Sequence, residues 1–198
     1  MKRIAAAVVI TIALGLYVGL AGAANLPIGK ATLSGTVLDW DGDTITAKGN
    51  ASFVLVSPRT PLKAGSMRLE SMKAETITLS LTTEKNRRQT LKEASAAGGV
   101  IIKAKRADQE TDGTGELVTV VRDVIATARA AALMQAQDAV KLTGNVVVKV
   151  TEPGVAEPVA VLAGERVTFF LKENKIRVEG QPDKPAEFTV TPKEDENK

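Results

Sequence analysis

A glycine followed by an alternating apolar strand occurs three times in this chain at nearly constant spacing, and this repeat restricts the fold more than any other feature. The three segments are Lys48-Gly49-Asn50-Ala51-Ser52-Phe53-Val54-Leu55, Ala97-Gly98-Gly99-Val100-Ile101-Ile102-Lys103-Ala104 and Thr143-Gly144-Asn145-Val146-Val147-Val148-Lys149-Val150, with glycines 49 and then 46 residues apart. Regular spacing of this length marks repeated supersecondary units that bury their apolar faces against one another. A second landmark links the later two units: Gly115-Glu116-Leu117-Val118-Thr119 matches Gly164-Glu165-Arg166-Val167-Thr168, with Ala64-Gly65-Ser66-Met67-Arg68-Leu69 as a looser counterpart in the first. Each unit therefore reads as several short strands, one after each glycine landmark, separated by loops. The Gly-Asn and Gly-Gly pairs read as tight turns, because both residue types tolerate positive φ. The loops of differing length carry Pro58 and Pro61, then Asp112-Gly113-Thr114-Gly115, then Pro153-Gly154 and Pro158. Such length changes fall where hairpin tips tolerate them.

Period-two alternation assigns the faces, since successive side chains of a strand point to opposite sides. Lys149 has to face water, so Val146, Val148 and Val150 point inward; the same phase puts Val100, Ile102 and Ala104 inward, with Lys103 and Lys105 outward, and Ala51, Phe53 and Leu55 inward. Val118 and Val120, Val167, Phe169 and Leu171, and Ile176 and Val178 extend the inward set, giving a sheet with one apolar face. Two segments, 84–97 and the Ala-rich 126–139, have residues of good helix propensity. Each leads directly into a glycine-started strand, so strand and turn are the favoured reading, with helix as the alternative.

Composition removes whole classes of function. The 198 residues include no His and no Cys, so the commonest general base, the thiol nucleophile, the usual zinc ligands and disulfides are all absent. No catalytic residue, metal ligand or cofactor is assigned, and a hydrolase would have to rely on paired carboxylates for which no motif speaks. Aromatic residues are 3% of the chain, too few for a stacking platform. With Lys2 and Arg3 set aside, 24 basic residues face 23 acidic ones, and a net charge of +1 leaves no nucleic-acid footprint. Asp39-Trp40-Asp41-Gly42-Asp43 resembles a calcium loop only superficially: Gly is fourth rather than sixth and position twelve is Asn50, so a hairpin turn is expected there.

The N-terminus has the layout of an export segment, with Lys2 and Arg3 before the apolar run 4–20 and the small residues Ala21-Gly22-Ala23-Ala24 after it. Cleavage after Ala23 fits the small-residue rule, and retention as a membrane anchor is the alternative; either places the remainder outside the cytoplasm. The expected division is a signal peptide or anchor at 1–23, one β domain at 24–190 and a disordered tail at 191–198.

The run Ala139-Val140-Lys141-Leu142-Thr143-Gly144-Asn145-Val146-Val147-Val148, followed after a Pro-containing loop by Leu162-Ala163-Gly164-Glu165-Arg166-Val167-Thr168 and by Ile176-Arg177-Val178-Glu179-Gly180, resembles the LptA/OstA-like family of lipopolysaccharide-export bridge proteins. Leu91-Lys92-Glu93-Ala94-Ser95-Ala96-Ala97-Gly98-Gly99-Val100 is similar to the same pattern in weaker form, and the resemblance covers roughly Ile45 to Gly180. It implies an all-β, open β-jellyroll of stacked antiparallel strands built from about three repeats. It further implies a periplasmic bridge or carrier for lipopolysaccharide or a similar lipid, partnered by other lipopolysaccharide-transport proteins and joined edge to edge into homo-oligomers. On that reading Phe53, Leu55, Val100, Ile102, Val118, Val120, Val146, Val148, Val167, Phe169 and Ile176 line the lipid-binding interior; ordinary core packing is the plainer account of the same residues. Lys103, Lys105 and Arg106 would meet lipid phosphates at the mouth, or simply form a solvated face. The rival function is a structural envelope protein that self-associates through its sheet edges and carries no lipid.

Overall fold

The computed structural model describes residues 9–10, 31–55, 61–83, 89–155, 157–171, 173 and 175–190. The export or anchor segment, apart from Val9–Ile10, and the tail 191–198 lie outside the described residues. Eleven strands form one antiparallel sheet: β1 (Val9–Ile10), β2 (Ala31–Ser34), β3 (Val37–Asp41), β4 (Thr44–Leu55), β5 (Ser66–Thr83), β6 (Gln89–Thr111), β7 (Leu117–Met134), β8 (Ala139–Thr151), β9 (Ala160–Phe170), β10 (Lys175–Glu179) and β11 (Glu187–Val190). From β4 to β9 each strand pairs with the next in sequence. The edges are split: β2 and β3 each cover half of β4, and β11 and β10 each cover half of β9.

The strands are far longer than the short pieces expected from the sequence, reaching 23 residues in β6. The Ala-rich segment is strand through Met134 with a single 3-10 turn at Gln135–Gln137, and 89–97 lies wholly in β6, so neither is an α-helix. The glycine pairs are not turns. Gly49-Asn50, Gly98-Gly99 and Gly144-Asn145 sit in the middle of β4, β6 and β8, every residue with φ between 49° and 84°. Each inserts one extra residue against its neighbour: Lys48 pairs with Thr76 but Ala51 with Ala74, Ala97 with Ala130 but Val100 with Ala128, and Thr143 with Arg166 but Val146 with Gly164. These are β-bulges, which bend the strand that carries them.

Aligned across the sheet, the three bulges form a crease. Partner side chains lie over it: a Cβ on Gly98 would sit 2.6 Å from Glu75, and one on Gly144 2.7 Å from Arg129, so both glycines are required by close approach as well as by φ. The bulged strands keep their inward phase across the crease, as Ala94 and Ala96 with Val100 and Ile102 show. Their neighbours shift by one residue, from Met72 and Ala74 to Ile77 and Leu79 in β5, and from Val124 and Ala126 to Ala131 in β7.

The crease divides the sheet into two leaves that fold face to face. Met67, Leu69, Ile102, Ala104, Val124 and Ala126 on the first leaf enclose one crevice together with Val140, Phe169 and Leu171 on the second. Val124 pairs with Val150, and in a flat sheet Val140 would be about 33 Å farther along that strand. Only folding at the crease brings them together. Phe53, Ile77, Leu142, Val100, Val146, Val148 and Val167 are the largest fully buried side chains, each worth roughly 1.5–3 kcal/mol of burial.

The second glycine landmark does not mark equivalent positions. Gly115 closes the β6–β7 hairpin loop, Gly65 lies in the turn entering β5, and Gly164 is inside β9, where an added Cβ would meet Val178 and Glu179. The Asp-Gly segment does form the β3–β4 hairpin, with Gly42 at φ 57° and the exposed Trp40 Nε1–H donating to the Gly42 carbonyl at 2.7 Å.

Candidate functional site

The interior between the leaves is the one extended apolar surface that the crease creates. Of the residues read as inward from the sequence, Phe53, Val100, Ile102, Val146, Val148, Val167 and Phe169 are buried, and Leu55 and Ile176 are half-buried against them. Lys103 and Lys149 are exposed on the opposite face. Val118 is the exception. It lies on the inward side of β7 but is 37% exposed, and Val120 beside it is half-buried. The cause is a change of neighbours: β5 pairs with β6 only as far as Ala107, and β8 pairs with β7 only as far as Asp123. Beyond those points 108–111 and 117–120 pair only with each other, forming a two-stranded arm that projects past the leaves.

Sequence reasoning assigned nothing on β5, which supplies Met67, Leu69, Met72, Ala74, Ile77, Leu79 and Leu81 to the interior. Its phase shifts at Leu69/Ser71 and at Lys73/Thr76, and the period-two signal is broken each time. The half-buried Met67, Leu69 and Leu171 lie at the seam where the leaves meet. The crevice there has a volume of about 20 Å³, room for about one water molecule. A larger guest would require the leaves to part.

Where the arm leaves the core, the inward face turns from apolar to charged. Arg122, two residues beyond buried Val124, has only 12% of its side chain exposed and is gripped by three carboxylates. Its Nη1 donates to Asp108 at 3.1 Å, and its Nη2 donates to Glu152 at 2.7 Å and to Glu110. Arg106 Nε donates to Asp108 at 2.8 Å. Burial by itself would pull the Arg122 guanidinium down, but its hydrogen bonds with Glu110, Glu152 and Asp108 and the Glu110 charge outweigh that, and the net shift is up. Arginine is the cation suited to this position, since its rigid fork serves several carboxylates at once and it stays charged. Among the described residues no group of carboxylates is arranged to hold a metal ion.

At the arm's tip, Asp112 Oδ1 accepts from the Thr114 hydroxyl at 2.6 Å, the Thr114 amide at 2.9 Å and the Glu116 amide at 2.9 Å. These bonds, the Thr114 hydroxyl first, hold its carboxyl below the ordinary 3.8. The arm is therefore a built feature with its own turn and its own ionic base.

A creased antiparallel sheet, unclosed and with its apolar face turned inward, is an open β-jellyroll of the LptA type. The chain matches the crystal structure of LptH, the LptA-homologous periplasmic component of the conserved lipopolysaccharide transport device from Pseudomonas aeruginosa, with a TM-score of 0.53 over 83% of this chain and 96% of that one. Sequence identity is 13%, so the likeness is one of fold. No family model matches the chain. No curated protein matches it either.

Proposed function

We propose that this protein is a non-catalytic periplasmic carrier that shelters the acyl chains of lipopolysaccharide or a similar lipid between its two leaves. The observation that carries this reading is the single apolar face that the crease folds inward without closing the sheet. Polar cargo has no partner on the walls formed by Ile102, Val148, Val167 and Phe169, whereas each methylene transferred there from water gains about 0.8 kcal/mol. The seam at Met67, Leu69 and Leu171 is the entry, because its residues are apolar, inward and still half accessible. The Arg122 network marks where the apolar path stops, so the headgroup stays at or beyond the arm. The likeness to LptH, a periplasmic transport component by its description, supports the same location and cargo class here. On this reading the N-terminal apolar segment serves export, and other lipopolysaccharide-transport proteins and further copies of the chain dock at the split edges formed by β2 and β3 and by β10 and β11.

Photo-crosslinkers at Leu171 and, as control, at Thr78 on the outer surface of the second leaf test the reading in cells. Lipid adducts at Leu171 and none at Thr78 are expected by mass spectrometry. A folded, exported protein with clean spectra at both positions would sink the carrier reading and favour an envelope protein that associates through its edges alone.

A further inference from the structure

The outer surfaces of the two leaves differ in chemistry, and the difference is set by register. On the first leaf one cross-strand row runs Val54, Ser71, Lys103, Ile125, Lys149, Val161, and the row beside it runs Ser52, Lys73, Ile101, Thr127, Val147. Neighbouring strands are about 4.8 Å apart, so Ile125 stands directly between Lys103 and Lys149, and Lys73 directly beside Ile101. Val54, Ile101 and Ile125 are all about 40% exposed. Lys73, Lys103 and Lys149 are exposed and have no ion-pair partner among the described residues, while Lys105 is offset by Glu70 at 3.8 Å and Asp123 at 3.9 Å. The corresponding row on the second leaf reads Thr46, Thr78, Ser95, Ala132, Lys141, Thr168 and exposes no large aliphatic side chain.

We infer that the outer surface of the first leaf docks on an anionic phospholipid bilayer, with Lys73, Lys103 and Lys149 on lipid phosphates and Ile101 and Ile125 in the interfacial layer. Chemistry selects this occupant. Lysines on long flexible stems reach phosphates whose positions are not fixed, and aliphatic groups set between them enter the headgroup boundary to a shallow depth. A purely acidic surface would neutralise the lysines but leave the two isoleucines without a matching apolar layer. Docking by this face leaves the interior, the seam and the arm free, so the inference does not depend on what the interior carries.

Flotation of the full chain with phosphatidylglycerol-containing vesicles, and with phosphatidylcholine vesicles alone, decides the matter. The wild type is expected to prefer the anionic vesicles by at least about tenfold at low salt, with the preference lost near 0.5 M salt, where the Debye length falls to about 4 Å. Neutralisation by the glutamine triple at 73, 103 and 149 is expected to lower binding roughly a hundredfold, at about fivefold per lysine, and reversal by K73E, K103E and K149E together by more than that. The matched reversal K48E, K141E and K175E on the second leaf controls for net charge and is expected to change binding less than about threefold. The glutamine triple at 73, 103 and 149 keeps the test valid if the reversal fails to fold. Equal loss in both reversals, equal binding to the two vesicle types, or capture of an acidic polymer such as polyaspartate without capture of vesicles would overturn the assignment.

Discussion

The same two strands, β6 and β7, are built in two ways along their length. Near the crease, Val100, Ile102 and Ala104 lie beside Val124, Ala126 and Ala128, all buried by the opposing leaf. In the arm the identical alternation continues, but the inward positions become Arg106, Asp108 and Glu110 beside Val118, Val120 and Arg122. What differs is not the local conformation, which is strand throughout, but whether another leaf lies opposite. Where it does, water is excluded and methylenes are favoured; where it does not, the face takes charges, and these satisfy one another.

Phe53→Ala tests the apolar region most severely. It removes a fully buried ring and is expected to cost about 3–5 kcal/mol, read from the denaturation midpoint; a loss below about 1 kcal/mol would mean that the leaves are not packed. Arg122→Met tests the boundary. It leaves Asp108, Glu110 and Glu152 crowded without their shared cation, and roughly 2–3 kcal/mol should be lost, given that breaking a partly buried ionic network strands the partners. Arg122→Lys should recover part of that loss, because it restores the charge without the fork; full recovery would show that the fork geometry is irrelevant.

Within the arm the effects shrink. Asp112→Asn removes a carboxylate whose depressed pKa means that its ionised form stabilises the turn. That contribution is complete above the ordinary value of 3.8 and fades as pH falls through the lower folded value. Melting temperatures of wild type and variant should therefore differ slightly at pH 7 and converge in strong acid, and divergence in acid would contradict the assignment. Val118→Ser, on the exposed inward side, should change stability by less than about 0.5 kcal/mol. A loss like that of Phe53→Ala would show the arm to be part of the core after all.

The sequence by itself determined an all-β chain with one apolar face, and it determined the inward phase of β4, β6 and β8. In those strands Ala51 and Phe53, Val100 and Ile102, and Val146 and Val148 alternate with outward residues, and the bulge preserves that phase across the glycine pair. Only the tertiary structure decided that the glycine pairs are bulges and not turns: positive φ is common to both, and the choice depends on whether the chain pairs onward with the same neighbour. It also decided the inward residues of β5, whose phase shifts at two irregularities set by its neighbours. Last, it decided that Val118 stands outside the core while Val124, three turns of the pleat away on the same face, stands within it. Alternation records which side a residue faces, and burial depends on what lies across from that side; in this protein that is a second leaf, brought there by a crease that no single strand encodes.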